Sequence, residues 1–457
     1  MTSDNRDVRA EREAGDQSDA ERPLDPTRRQ FFRAFSRQTV AGAGNVIGVA
    51  EALRRGTSTA TAELLGLGFG SPQATAARLQ QRLDAEATSG TTKADPAQPF
   101  ASAYAYSDDA VLLLDQRLLP AQRTTVACTE ASEVATAMRS GVIGGGPILA
   151  EVTAHTLVLA VAREAGSSVT AQRRAFATAA NTLLAARPSI RAVGWAVEWL
   201  RGTLDRGPAE AHEPGAMVTA LRRQAEAIVM ELALDHARLG RFGAEALGSR
   251  QDDDRLDLLL HGELGPLSCG LVGTGFAVVR GLLDGGRDVH VWLTEGGPDV
   301  AGGRISSLQL HQLGVPHTLI PDAAVGWLFD NRTVDAVLVR LDTITPGGDG
   351  IGPVGAVSVA RLAEAAGVAV LGCATTSSIQ PAGARPVDLS TEMGVPEGGT
   401  PVATRLQPMA DVVPARLMDG CLTEEGLLRP PFETTLDRAL ESRSSRRAAE
   451  QGIEQIY

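Results

Sequence analysis

The chain reads as an α/β protein: an N-terminal, mainly helical domain followed by a Rossmann-like, doubly wound and largely parallel sheet domain. Three observations predict this. Long Ala-rich helical patterns fill roughly residues 130–250, including Glu151–Arg163, Ala171–Ala186 and Met217–Leu247. After a polar break at Gly248–Asp254, short β-rich runs alternate with helical ones, the order that builds parallel sheets. The run Leu258-Leu259-Leu260-His261 then enters a Gly-rich turn and a new helix near Gly273, as a buried strand does at its carboxyl end.

Element by element, Ala110–Gln116 is a strand closed by Pro120. In the second half the strands are Asp288–Leu293, Val334–Leu341, Val368–Cys373 and Asp411–Val413. Helices at Gly273–Leu283, Ile305–Leu313 and Val357–Ala365 separate them. The resulting division is a disordered tail over 1–26, an amphipathic helix over 27–56 and a linker over 57–99. A helical domain follows over 100–250, a Rossmann-like domain over 251–435 and a charged tail over 436–457, which begins in a helix continuing from Phe432.

The segment Thr27-Arg28-Arg29-Gln30-Phe31-Phe32-Arg33 looks like a twin-arginine export signal, with a weakly apolar stretch after it. Arg37 and Glu51 break that stretch, while Phe31, Phe35, Ala50 and Leu53 share one helical face. The preferred reading is a docking helix for an unknown partner or a membrane surface, on a cytoplasmic protein.

Bulk properties exclude several functions. The 457 residues carry a net charge of −12 and only 4% aromatic residues, which disfavours nucleic acid as the ligand. The four cysteines, Cys128, Cys269, Cys373 and Cys421, are dispersed with no metal-ligand spacing, so neither a structural metal nor a disulfide framework is expected. Gly270-Leu271-Val272-Gly273-Thr274-Gly275 has the wrong glycine spacing for a dinucleotide fingerprint, and no acid ends the following strand, so no cofactor is expected.

Several blocks, in order, resemble the methylthioribose-1-phosphate isomerases and the related initiation factor 2B alpha, beta and delta subunits. They are Leu112–Pro120, Asn181–Ser189 with Trp195, Leu239–Glu245, the turn Leu258–Ala277, and Leu422–Phe432. The resemblance spans about residues 104–432. It implies a homodimer that opens an aldose 1-phosphate and moves its carbonyl to the neighbouring carbon, with a Cys and an Asp as the chemical pair.

This chain keeps little of that machinery. The family's Cys follows the histidine matched by His261, and here Gly262 stands in its place, with Glu263 next. The family's phosphate-side Arg falls on Gly144 of the turn Gly144-Gly145-Gly146-Pro147. A second Arg falls on Gly297, a Gln on Ala301, and an Asn-Lys pair on Gly352-Pro353. What remains is Asp342, just past a buried strand, and Arg187 before Pro188. The glycine turn either cradles an anion with its amides or only allows tight packing. Arg187 is either a phosphate ligand or a helix cap, and Asp342 either the inherited catalytic acid or a loop acid. Cys269 is a packed hydrophobe or a relocated acid.

Losing a general acid costs about 10²–10⁴-fold and losing an oxyanion donor about 10²–10³-fold. The expectation is therefore a protein that binds a phosphorylated small molecule through Asp342, Arg187, Gly144–Gly146, Gly262 and Glu263 without the parent reaction. The alternative is an active aldose–ketose isomerase that uses Asp342 with Cys269 or Glu263.

Overall fold

The computed structural model describes residues 102–454 except 208–214, 249–254, 298–300 and 391–405. The expected tail, amphipathic helix and linker over 1–99 lie outside the described residues.

The described chain opens with strands β1 (Tyr104–Tyr106), β2 (Val111–Leu114) and β3 (Thr125–Cys128), an antiparallel sheet in that order. Helices α1 (Ala131–Arg139), α2 (Gly146–Ala162), α3 (Val169–Leu184), α4 (Arg191–Arg206) and α5 (Ala216–Gly248) follow. Almost every residue of α2 is buried, including Ile148, Leu149, Val152 and Leu157, so it forms the axis around which the other helices pack. Pro147 occupies its first turn, where the missing N–H costs nothing.

Strands β4 (Leu256–His261), β5 (Val289–Thr294), β6 (His317–Ile320), β7 (Ala336–Arg340), β10 (Ala369–Cys373), β12 (Gly420–Thr423) and β13 (Gly426–Leu428) form one sheet in the order β13-β12-β10-β7-β4-β5-β6. All neighbours are parallel except β12 and β13. Alternate residues point to opposite faces: Leu258 and Leu260 pack on one side and Leu259 on the other. Both faces are covered, which is why the strand reads as a continuous apolar run. Its crossover helices are α6 (Pro266–Cys269), α7 (Gly275–Asp284), α8 (Ala301–Gln312), α9 (Val325–Asn331) and α10 (Ala356–Ala366).

Three differences from the sequence reading matter. Asp411–Val413 belongs to β11 (Ala410–Val413), which does not join the main sheet. It pairs antiparallel with β9 (Gly350–Pro353), itself paired with β8 (Thr343–Ile344). Cys269 lies in the separate short turn α6, ahead of α7. The helix expected after Phe432 at the start of the charged tail runs on to Glu454 as α11 (Phe432–Glu454), and Arg443 within it is buried.

The topology fixes the site. Chain order runs outward from β4 through β5 to β6, then returns to place β7 on the other side of β4. The carboxyl ends of β4 and β7 therefore flank the switch point, where open α/β sheets bind ligands. Gly262 follows one strand directly, and Asp342 stands two residues past the other.

Candidate functional site at the sheet switch point

Asp342 is buried, at 4% exposure, and its backbone is held from both directions. Its N–H donates to the Ile351 carbonyl at 2.7 Å, and its own carbonyl accepts from the Arg191 N–H at 3.3 Å. The neighbouring Thr343 hydroxyl donates to the Ser189 carbonyl at 2.7 Å and accepts from the same Arg191 amide at 3.0 Å. The turn between α3 and α4, which carries Arg187 and Ser189, is thereby pinned to the loop after β7. Oδ2 of Asp342 accepts from Arg340 Nη2 at 3.1 Å, while Oδ1 has no partner among the described residues.

Arg340 is a candidate site residue that sequence reasoning passed over. Its signal was present: a charged side chain ends the apolar strand Ala336-Val337-Leu338-Val339. Burial disfavours its charge, yet the Asp342 and Glu263 carboxylates outweigh that and hold its pKa above the ordinary value. It stays a guanidinium, and its Nε has no partner among the described residues.

Gly262 adopts φ +88°, a left-handed conformation natural to glycine. A Cβ there would lie 2.7 Å from Pro353 Cγ and 3.2 Å from Arg340 Cβ. The space beside the turn is filled from β9 on one side and β7 on the other. Glu263 is buried and accepts a hydrogen bond from the Ser268 hydroxyl. His261 is fully buried, and its Nε2 must donate to the Val354 carbonyl (3.2 Å), so Nδ1 accepts from the Thr294 hydroxyl at 2.9 Å. Burial lowers its pKa, which keeps the ring neutral.

The glycine turn ahead of α2 meets the same site. A Cβ on Gly146 would stand 3.1 Å from Asp342 Oδ1. Gly145, at φ +105°, packs so closely on the Ser268 carbonyl that a Cβ would fall 2.1 Å from it. Gly144 donates its N–H to Gln116 Oε1 at 3.2 Å, and Gln116 Nε2 donates to the Leu267 carbonyl at 2.8 Å. Gln116 therefore clips the glycine turn to the turn after β4. The structure gathers Gly144–Gly146, Gly262, Glu263 and Asp342 around Arg340, and places the half-buried Arg187 on the turn that braces Asp342.

Cys269 is fully buried, with Sγ 3.4 Å from the Glu263 carbonyl and 3.7 Å from the Thr274 hydroxyl. Burial pushes its pKa up to about 11, so at neutral pH it is a thiol. Among the described residues the four cysteines are buried and unpaired, no cluster of three or more His, Cys, Asp or Glu could hold a metal ion, and no helix is long and apolar enough to cross a membrane.

The pattern of the initiation factor 2 subunit family matches residues 142–430. The chain is 31% identical over 347 residues to the methylthioribose-1-phosphate isomerase of Chloroflexus aurantiacus, covering 74% of this chain and 97% of that one. It is 32% identical over 347 residues to the enzyme of that name from Thermus thermophilus, with the same coverage. Among solved structures, the 5-methylthioribose 1-phosphate isomerase of Pyrococcus horikoshii superposes with a TM-score of 0.64 at 25% identity, over 76% of this chain and 98% of that one. The initiation factor eIF-2B delta subunit of A. fulgidus shares the fold, with a TM-score of 0.58 at 22% identity over 74% and 99% of the two chains. The match over residues 142–430 and the shared fold settle the family: the chain belongs to the initiation factor 2 subunit family.

Proposed function

We propose that this chain is a divergent, isomerase-like member of its family that binds a phosphorylated small molecule at the switch point without the thiol-dependent isomerisation. The observation that carries the reading is the filled position at Gly262. The ring of Pro353 and the stem of Arg340 occupy the space a catalytic side chain would need.

What remains suits binding. Asp342 Oδ1 and Arg340 Nε are an acceptor and a donor, buried and without partners among the described residues. Leaving such groups unmatched costs free energy that a ligand hydroxyl or phosphate oxygen recovers. The amino end of α2, at Gly146, adds a partial positive charge beside them. Arg187, on the turn that braces Asp342, would supply a second guanidinium for the phosphate.

The test is thermal-shift screening of the full chain with sugar phosphates and nucleoside monophosphates. Stabilisation by one of them that is lost in Asp342→Asn supports the reading; silence from every phosphorylated ligand sinks it.

A second reading, an aldose–ketose phosphate isomerase with a relocated acid, draws on one observation: Asp342 and Glu263 both act on the charge of Arg340, and the Cys269 thiol lies 3.4 Å from the Glu263 carbonyl. Incubation with methylthioribose 1-phosphate and other pentose 1-phosphates separates the two. Turnover abolished by Asp342→Asn establishes the enzyme and refutes the binding protein.

Two further parts of the proposal concern state and place. A homodimer requires a solution mass twice the chain's 47.7 kDa, read by sedimentation. Residence in the cytoplasm fails if fractionation finds a form shortened at its amino end outside it.

A further inference from the structure

A cavity of about 510 Å³ runs between α4, α11 and the turn Thr376–Ser378 that follows β10. At one end it is lined by Arg191, Trp195, Thr376, Ser377 and Arg443. We propose that this end is a second anion site, which takes the phosphoryl group of a small molecule. It rests on none of the argument for the switch-point site.

The two arginines carry the inference. Arg191 Nη2 is paired with Glu198 at 2.8 Å, but its Nη1 is buried and has no partner among the described residues. Arg443, whose side chain is 7% exposed, spends its Nη groups on Thr376 Oγ1 (3.0 Å), Glu231 (3.2 Å) and Asp235 (3.5 Å). Its Nε is likewise buried and without a partner. Two guanidiniums that line one cavity therefore each keep a buried N–H without a partner among the described residues. Buried donors of this kind call for an acceptor, and a phosphoryl group offers several oxygens in the geometry a guanidinium fork matches.

The surroundings hold these groups in place. A Cβ on Gly194 would lie 3.0 Å from Arg191 Nη1, so the glycine leaves the room in which that guanidinium rests. Arg443 lies 4.9 Å over the Trp195 ring, and Trp195 meets Trp199 edge to face at 5.1 Å. The Ser377 and Thr375 hydroxyls share a hydrogen bond of 2.6 Å, which fixes the turn beside the arginines. The volume falls within the range of small-molecule sites.

The indoles supply the readout. Trp195 and Trp199 line this cavity, whereas Trp292 and Trp327 do not. The full chain is titrated with inorganic phosphate at constant ionic strength while intrinsic fluorescence is followed. Wild type should give a saturable change; Arg191→Gln should weaken it by about tenfold or more, as loss of a charge-assisted contact does. Asp342→Asn, at the other site, should leave it unchanged. Ser377→Asp, which sets a carboxylate among the donors, should abolish it and serves as the deciding variant should Arg191→Gln fail to fold. The proposal is overturned by a wild-type titration with no saturable change, by equal affinity in the deciding variant, or by loss of the response in Asp342→Asn.

Discussion

The pyrrolidine ring of Pro353 closes on Gly262, leaving 2.7 Å between its Cγ and the place a side chain would begin. In the family's enzymes these two positions carry a thiol and a lysine, by the register read from the sequence. Here they have become packing partners. A thiol placed at 262 would meet that ring at once, because Pro353 fills the room beside the turn.

Gly262→Cys should therefore destabilise the protein by about 1–3 kcal/mol, from overpacking together with a strained positive φ. It should confer no turnover of methylthioribose 1-phosphate. Thermal melts and a turnover assay on one preparation check both halves. A variant that melts like wild type and turns substrate over would show the seal to be imaginary.

Gly145 and Gly144 should respond in opposite ways although they are adjacent. Gly145→Ala drives a Cβ into the Ser268 carbonyl and strains φ +105°, so a loss of more than about 1 kcal/mol is expected. Gly144→Ala meets only Gln116 Oε1, at 3.9 Å, and should be nearly neutral. Chemical denaturation of the pair measures the contrast; equal losses would mean that the turn is not braced on Ser268.

Glu151 of α2 should set an alkaline limit on stability. Burial raises its pKa to about 8, from an ordinary value of 4.5, and Tyr104 only partly offsets this. A carboxyl with a raised folded pKa contributes fully below the unfolded value and loses stability as pH rises through the folded one. The loss thus falls between about pH 4.5 and 8, with a slope approaching 1.4 kcal/mol per pH unit. Glu151→Gln should match wild type near pH 5 and exceed it near pH 8. Parallel stability curves for the two proteins would refute this.

His236 should act in the reverse sense. Burial lowers its pKa to about 3, so the folded state resists its protonation. Its contribution is complete above the unfolded value of 6.5 and is lost as pH falls toward 3. An uncharged isostere, His236→Gln, should flatten the acid limb of the stability curve, and an unchanged acid limb would exclude the assignment.

The helix α11 holds a buried carboxylate in check. Asp235 is fully buried on α5, its pKa raised by burial first and by Glu424 next, and Arg443 and Arg446 oppose that rise. Arg443→Ala should cost about 3–5 kcal/mol, because it strips the buried cation that bridges the Glu231 and Asp235 carboxyls. Arg222→Ala, which breaks an exposed pair with Asp108, should cost no more than about 1 kcal/mol. Urea unfolding ranks the two; similar losses would show that α11 is not a clasp.

Much of the protein was legible in its residues alone. The Ala-rich helical run, the alternation after residue 254 and the Leu-rich strand before His261 are local patterns, and local patterns survive as elements. The readings of positions 144, 262, 353 and 342 against the family rest on register alone. The edge strand β6 and the placement of β11 in a sheet of its own did not follow, since short strands take their identity from the partners they find. Arg340 shows the same boundary: one charge in an apolar strand was visible, but only folding set it against Asp342 and Glu263. The cavity beside Trp195 draws on residues as distant in sequence as Arg191 and Arg443. Such pairs are brought together by packing between layers, which one-dimensional periodicity does not encode.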